Sequence, residues 1–158
     1  MSRRPRESVW DYPRPPAVEA VDRHIYAVLA GHVIVDSRCS LRVLETSHPP
    51  VYYLPPVDVA LEYLEASART TFCEYKGAAH YYSLVVGRIR HEDAAWYYPE
   101  PSRGYKAIAG YIAFYAWAFD EVSVDGEPVT PQPGGFYGGW ITSEIEGPFK
   151  GEPHTWGW

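Results

Sequence analysis

The stretch RHIYAVLAGHVIVD, residues 23–36, decides how the rest of the chain is read. His24, Tyr26 and Val28 point one way and Ile25, Ala27 and Leu29 the other, the alternation that a strand with one buried face requires. Gly31-His32 predicts a tight turn into a second strand from Val33 to Asp36. The same rhythm continues through Leu41–Glu45, Val51–Leu54, Leu61–Glu65, Thr71–Tyr75, Tyr81–Val86 and Arg88–His91, with turn residues every eight to twelve positions or so, an all-β signature. Gly87 marks a hairpin between the last two strands. Pro49-Pro50 and Pro55-Pro56 bracket VYYL, so that strand is short or lies at an edge. Val57–Ala68 is the best helix candidate, with Ala60, Leu61 and Leu64 at helical spacing. IAGYIAFYAWAF, residues 108–119, fits neither period cleanly; its aromatic enrichment and Gly110 favour a buried strand. Val122 and Val124, the Asp125-Gly126 turn and Val129 read as another hairpin.

Composition narrows the class of protein. A chain of 158 residues with 46% hydrophobic content suits one globular domain. Its net charge of −6 gives no cationic surface to hold nucleic acid or anionic lipid. Ile108–Phe119 falls short of the roughly 18–20 apolar residues that span a bilayer. The N-terminus has no apolar signal core, so the expected location is the cytoplasm. Cys39 and Cys73 are too few for a disulfide scaffold and are expected as free thiols.

The ends differ from the middle. Residues 1–16 read as a disordered or extended arm, rich in Arg and Pro. Four arginines against Glu7 and Asp11 make it net +2, so the other 142 residues carry −8, and the arm can lie on its own body or on another subunit. Residues 17–130 form the expected β-domain. Residues 131–158, rich in Gly and Pro with Trp140, Trp156 and Trp158, read as a tail without regular structure. Those rings need burial, so the tail is expected to wrap the body or a neighbouring subunit, a homo-oligomer contact. No internal repeat is visible.

Three blocks carry a family resemblance: TTFCEYKGAAHYY at Thr70–Tyr82, AAWYYPEP at Ala94–Pro101 and AGYIAFY at Ala109–Tyr115, preceded by PPVYYLP at Pro49–Pro55. In this order they resemble the bacterial family of unknown function DUF427, over roughly Ile25 to Val129. The resemblance implies a compact, mostly antiparallel β-domain similar to Mss4-like or β-tent folds, and little about activity, although a nucleotidyltransferase label sometimes accompanies the family. The chain departs from the family pattern at Glu74, where Pro is common, and at His80, where a small residue is common.

Each candidate group has a bland reading beside the chemical one. Lys76, between Tyr75 and Gly77, is either a ligand anchor or a stem packed on tyrosine rings with its ammonium paired to Glu74 or water. Cys73 shares strand parity with Tyr75 and Gly77 and not with Lys76, His80 or Tyr82, which favours an inert buried thiol over an activated thiolate. Zinc would need about four Cys or His ligands at short spacing, and no CxxC or HxxxH unit occurs. Nucleotidyl transfer needs paired carboxylates for a metal, and neither DxD, a P-loop nor GxGxxG is present; GGFYGG at 134–139 lacks the lysine. Arg88 and Arg90, with Arg103 and Lys106, offer an anion site or simply a solvated face.

Aromatic residues are the compositional anomaly, at 16% of the chain. The doublets Tyr52-Tyr53, Tyr81-Tyr82 and Tyr97-Tyr98 place one ring on each face of a strand, so one ring of each is expected to leave the core. The resulting expectation is a mostly β, compact domain of mainly antiparallel curved sheets with at most one or two short helices. It carries an aromatic-walled cleft for a small neutral or anionic organic ligand. Tyr75, Tyr81, Tyr82, Trp96 and Tyr115 form the walls and Lys76 the anchor, with Thr70, Thr71 and Gly77 at the mouth and Cys73 counted with them among the ligand-binding residues. No metal and no cofactor is called for. The competing expectations are an enzyme using Lys76 or Cys73 with Glu74 or His80 as proton carrier, and an oligomerisation module built on the tail.

Overall fold

A computed structural model describes residues 5–133 and 137–152; Arg3, Arg4, His154, Trp156 and Trp158 lie outside them. The protein is mostly β. Strands β1 (Glu7–Ser8), β2 (Ala17–Ala20), β3 (Ile25–Leu29), β4 (His32–Ser37), β5 (Leu41–Leu44) and β6 (Val51–Tyr53) come first. The long strands β7 (Leu64–Cys73), β8 (Gly77–Val86) and β9 (Ile89–Tyr97) follow, then β10 (Ile112–Phe114), β11 (Glu121–Val124) and β12 (Glu127–Pro128). Three two-residue strands close the chain: β13 (Thr130–Pro131), β14 (Trp140–Ile141) and β15 (Ile145–Glu146). Three antiparallel sheets carry the fold, in the orders β12-β11-β3-β4, β2-β5-β6 and β10-β9-β8-β7. Among the described residues the only helical elements are five three-residue 3₁₀ turns, and no helix is long and apolar enough to cross a membrane.

Strand β3 buries the side that alternation assigns to the core: Ile25, Ala27 and Leu29 are enclosed and Tyr26 and Val28 half-exposed. Its hairpin turns one residue earlier than expected, at Ala30-Gly31, where both residues have positive φ. Asp125-Gly126 and Gly87 turn their hairpins as the sequence indicates. VYYL supplies the edge strand β6, and Leu54 reaches across to Ile112 as an isolated bridge.

The helix expected over Val57–Ala68 is absent. Two 3₁₀ turns, Pro56–Asp58 and Leu61–Tyr63, lead into β7 instead. A helix would have to bury one stripe, yet Val57 is 88% exposed while Val59 is inside and bridges Val35. From Leu64 onward the backbone finds ladder partners on β8, and that tertiary pairing overrides local spacing. In IAGYIAFYAWAF only Ile112–Phe114 is strand, flanked by 3₁₀ turns at Lys106–Ile108 and Ala116–Ala118.

Two hydrophobic cores lie on opposite faces of this layer. Ile112 and Phe114 enter the larger one with Ile25, Leu54, Leu84 and Trp140, whereas Ala113 faces the second with Tyr53, Tyr81, Trp96, Tyr98, Tyr105 and Tyr115. Burial on both faces explains why this segment reads as an unbroken apolar run. Of the tyrosine doublets, Tyr81-Tyr82 and Tyr97-Tyr98 enclose one ring, Tyr81 and Tyr98, and leave the other half-buried, whereas the first doublet departs from the expectation. Tyr52 and Tyr53 are each 1% exposed, one in each core, so neither leaves the interior.

Both ends of the described chain are laid on the body. Val9 and Tyr12 form a third cluster with Leu44 and Ile145, and β1 pairs in parallel with β15. Trp140 sits in the larger core, its N–H donating to Phe114 O at 2.9 Å; burying a large apolar side chain is worth about 2–3 kcal/mol.

Candidate functional site

Strands β7 and β8 meet at Cys73 and Gly77, which pair directly, so Glu74, Tyr75 and Lys76 make the turn between them. Strand parity therefore does not carry across these three residues, and the separation of Cys73 from Lys76 argued from it has no basis. Gly77 has φ +102°, a conformation that favours glycine, although a Cβ there would meet Ser102 Oγ only at an ordinary contact of 3.4 Å. Ser102 N–H donates to Lys76 O at 2.8 Å and ties the turn to the following loop.

From this turn the sheet sorts its side chains. Thr71, Cys73 and Tyr81 belong to the face that meets the second core, and Tyr75 packs against the same cluster. Thr70 and Tyr82 belong to the opposite face, so the structure does not join them to the other predicted wall residues. There Tyr82 stacks on Tyr97, with centroids 4.9 Å apart, and His80 lies beside Tyr97 at 5.8 Å.

On the face that meets the second core the rings form a continuous chain. Trp96 lies 6.5 Å from Tyr81 and 4.8 Å from Tyr115, and its indole N–H donates to Tyr53 OH at 3.4 Å. Tyr81 OH and Thr71 Oγ1 share a hydrogen bond of 3.0 Å, and the Arg69 guanidinium stands 4.8 Å above the Tyr81 ring. Burial, reinforced by the neighbouring Tyr81 phenol, pushes Tyr115 up to about 12. Burial likewise raises Tyr53 and Tyr98 well above the ordinary phenol range. These hydroxyls are neutral hydrogen-bond donors at physiological pH.

Lys76 is 8% exposed, and among the described residues its ammonium has neither an ion pair nor a hydrogen bond. Among the described residues the unpartnered side-chain polar atoms fully shut off from solvent are Arg23 Nε, Ser40 Oγ, Arg42 Nη1 and Ser47 Oγ, so the Lys76 ammonium keeps an edge open to water. His48 belongs to its surroundings. Burial, together with the positive charges of Lys150, Lys76 and Arg14, pushes this imidazole down to about 4. Gln132 Oε1 accepts Gly139 N–H at 3.0 Å, so its amide nitrogen must face Lys150 O, at 2.8 Å, and His48 Nδ1, at 3.2 Å. His48 is thus neutral with its proton on Nε2. Tyr137 meets the imidazole edge-on at 5.3 Å.

Residues 137–139 run as a strap over this region. A Cβ on Gly138 would come within 2.1 Å of Trp96 Cη2, and one on Gly139 within 2.5 Å of Pro49 O. Tyr53, Tyr98, Arg69, His48 and Gln132 were not singled out from the sequence. Two of them belonged to flagged tyrosine doublets; Arg69, His48 and Gln132 carried no local signal. Arg90 is bound by Glu65, at 2.9 Å from two nitrogens, and by Glu92, so it is charge-paired on a solvated face, and Arg88 beside it is exposed. No cluster of three or more His, Cys, Asp or Glu suited to a metal occurs among the described residues.

No curated protein matches the chain. The model of a family described as a domain of unknown function, DUF427, matches residues 17–125, which include both long hairpins, the ring chain and Lys76. The chain belongs to the DUF427 family.

Proposed function

We propose that the domain binds a small neutral or anionic organic ligand at the aromatic cluster, with Lys76 as its polar anchor. One observation carries the reading: a largely buried lysine whose ammonium has no counter-charge among the described residues and keeps an edge open to water, on the turn whose Tyr75 packs against the ring cluster. A ligand carboxylate, phosphate or carbonyl oxygen entering at that edge would give the ammonium the charge-assisted partner it lacks. Neutral phenols of raised pKa are poor bases and poor nucleophiles at physiological pH, which favours binding over acid–base chemistry. Tyr75, Tyr81, Trp96 and Tyr115 would supply the apolar walls, and Thr71, Cys73 and Gly77 the entrance.

Native mass spectrometry of freshly purified protein tests this. The expected result is a small-molecule adduct on the wild type that is lost in Lys76→Met. An adduct retained unchanged by Lys76→Met, in a variant that melts like the wild type, would overturn the anchor.

A further inference from the structure

A hollow lies away from Lys76, on the outer face of the β12-β11-β3-β4 sheet. It has a volume of about 520 Å³, within the range of small-molecule sites. Its aromatic wall is Tyr26, Trp117 and Phe119, and its charged lining is Asp120 and Glu121; among the described residues no Lys or Arg lines it, and the imidazoles of His24 and His91 pack against Tyr26 and Trp117, each at 5.8 Å. Tyr26 stands across the ladder from Ser123 on the face that Val122 and Val124 turn away from.

Two features distinguish this place from an ordinary solvated surface. Trp117 is fixed, stacked on Tyr115 at 5.6 Å and 19° and met edge-on by His91 at 5.8 Å, yet the residue remains 45% exposed. Asp120 is also fixed, since its Oδ2 accepts Ala30 N–H at 2.8 Å and so holds the β3–β4 turn; Glu121 beside it has no ion pair among the described residues. A rigid, exposed indole beside two carboxylates is the combination that selects a cation with apolar substituents. The ring quadrupole attracts positive charge, the carboxylates neutralise it, and alkyl groups cover the aromatic surface.

We infer that this hollow binds a small organic cation, an alkylammonium compound seated against Trp117 and Tyr26 with Asp120 and Glu121 as counter-charges. Its charge preference is opposite to that of the Lys76 site, and neither reading depends on the other.

The test is a titration followed by NMR, with choline as probe and its neutral carbon isostere 3,3-dimethylbutanol as control. Choline is expected to shift the Trp117 indole and Gly126 amide signals. The isostere, Trp117→Ala and Glu121→Gln should each weaken binding about tenfold, the scale of a desolvated cation–π contact. Glu121→Gln leaves the Asp120 bond to the turn intact and keeps the test valid should Trp117→Ala fail to fold. A Gly-Lys-Gly peptide binding more tightly than choline would overturn the small-molecule assignment. Equal binding of the isostere, or no shift at these residues, would overturn the site. Lys76→Met should leave choline binding unchanged, which separates this outcome from that of the first site.

Discussion

Gly138 crosses the Trp96 indole so closely that a single methyl group on its Cα would stand 2.1 Å from the ring. The second core is therefore closed by a strap that must lack a side chain at this point. Because Trp96 is held by Tyr53 and Tyr115, it has little freedom to retreat. Gly138→Ala should destabilise the protein by about 1–3 kcal/mol, the usual cost of overpacking. Chemical denaturation will measure the loss, and an unchanged midpoint would mean that the strap moves aside freely.

Lys76→Met should behave differently. It replaces a largely buried side chain, whose ammonium has no ion pair among the described residues, by an apolar chain of similar length, so stability is expected to hold within about 1 kcal/mol. A marked drop in melting temperature would show that the ammonium has a structural partner.

His48 sets a pH dependence. Its folded value of about 4 lies below the ordinary 6.5, so the unfolded chain binds the extra proton first. Stability from this residue is fully present above about pH 6.5 and is lost progressively as pH falls toward 4. Urea midpoints at pH 7, 6 and 5 should fall for the wild type and stay flatter for His48→Asn. Parallel slopes would place the titration elsewhere.

A fourth expectation concerns the N-terminal segment. Glu7 accepts from Arg42 Nη2 at 2.8 and 3.1 Å and from Tyr12 OH at 2.9 Å, while Arg42 also reaches Glu19. Burial works to raise the Glu7 carboxyl, and the bonds from Arg42 outweigh it, so the group is held below its ordinary 4.5. Its contribution is present above that pH and lost as the solution is acidified below it. Glu7→Gln should cost about 1–3 kcal/mol and speed proteolysis of residues 5–16; cleavage at the wild-type rate would sink this account.

Much of the sheet could be read from local pattern. The two faces of Ile25–Leu29, the Asp125-Gly126 turn and the edge position of VYYL each rest on neighbours a few residues apart. The fate of Val57–Ala68 was decided by a partner strand about 20 residues downstream, which helical spacing cannot reveal. The Tyr52-Tyr53 doublet misled for a related reason: counting rings against one interior overstates exposure when a layer has an interior on each side. Thr71, Cys73, Tyr81, Trp96 and Tyr115 were grouped by motif and share one cluster, whereas Thr70 and Tyr82 were placed with them only by proximity in sequence. His48 and Gln132 meet across 84 positions, a contact that leaves no periodic trace.

The parallel ladder of Glu7–Ser8 with Ile145–Glu146 has a consequence for biosynthesis. During translation the first of these strands leaves the ribosome early and has no mate until nearly 140 more residues have followed, so the central sheets can assemble while their seam stays open. Sealing then waits for the last strand of the described chain, and a nascent chain stalled before Trp140 would expose an unfilled interior for chaperones to recognise.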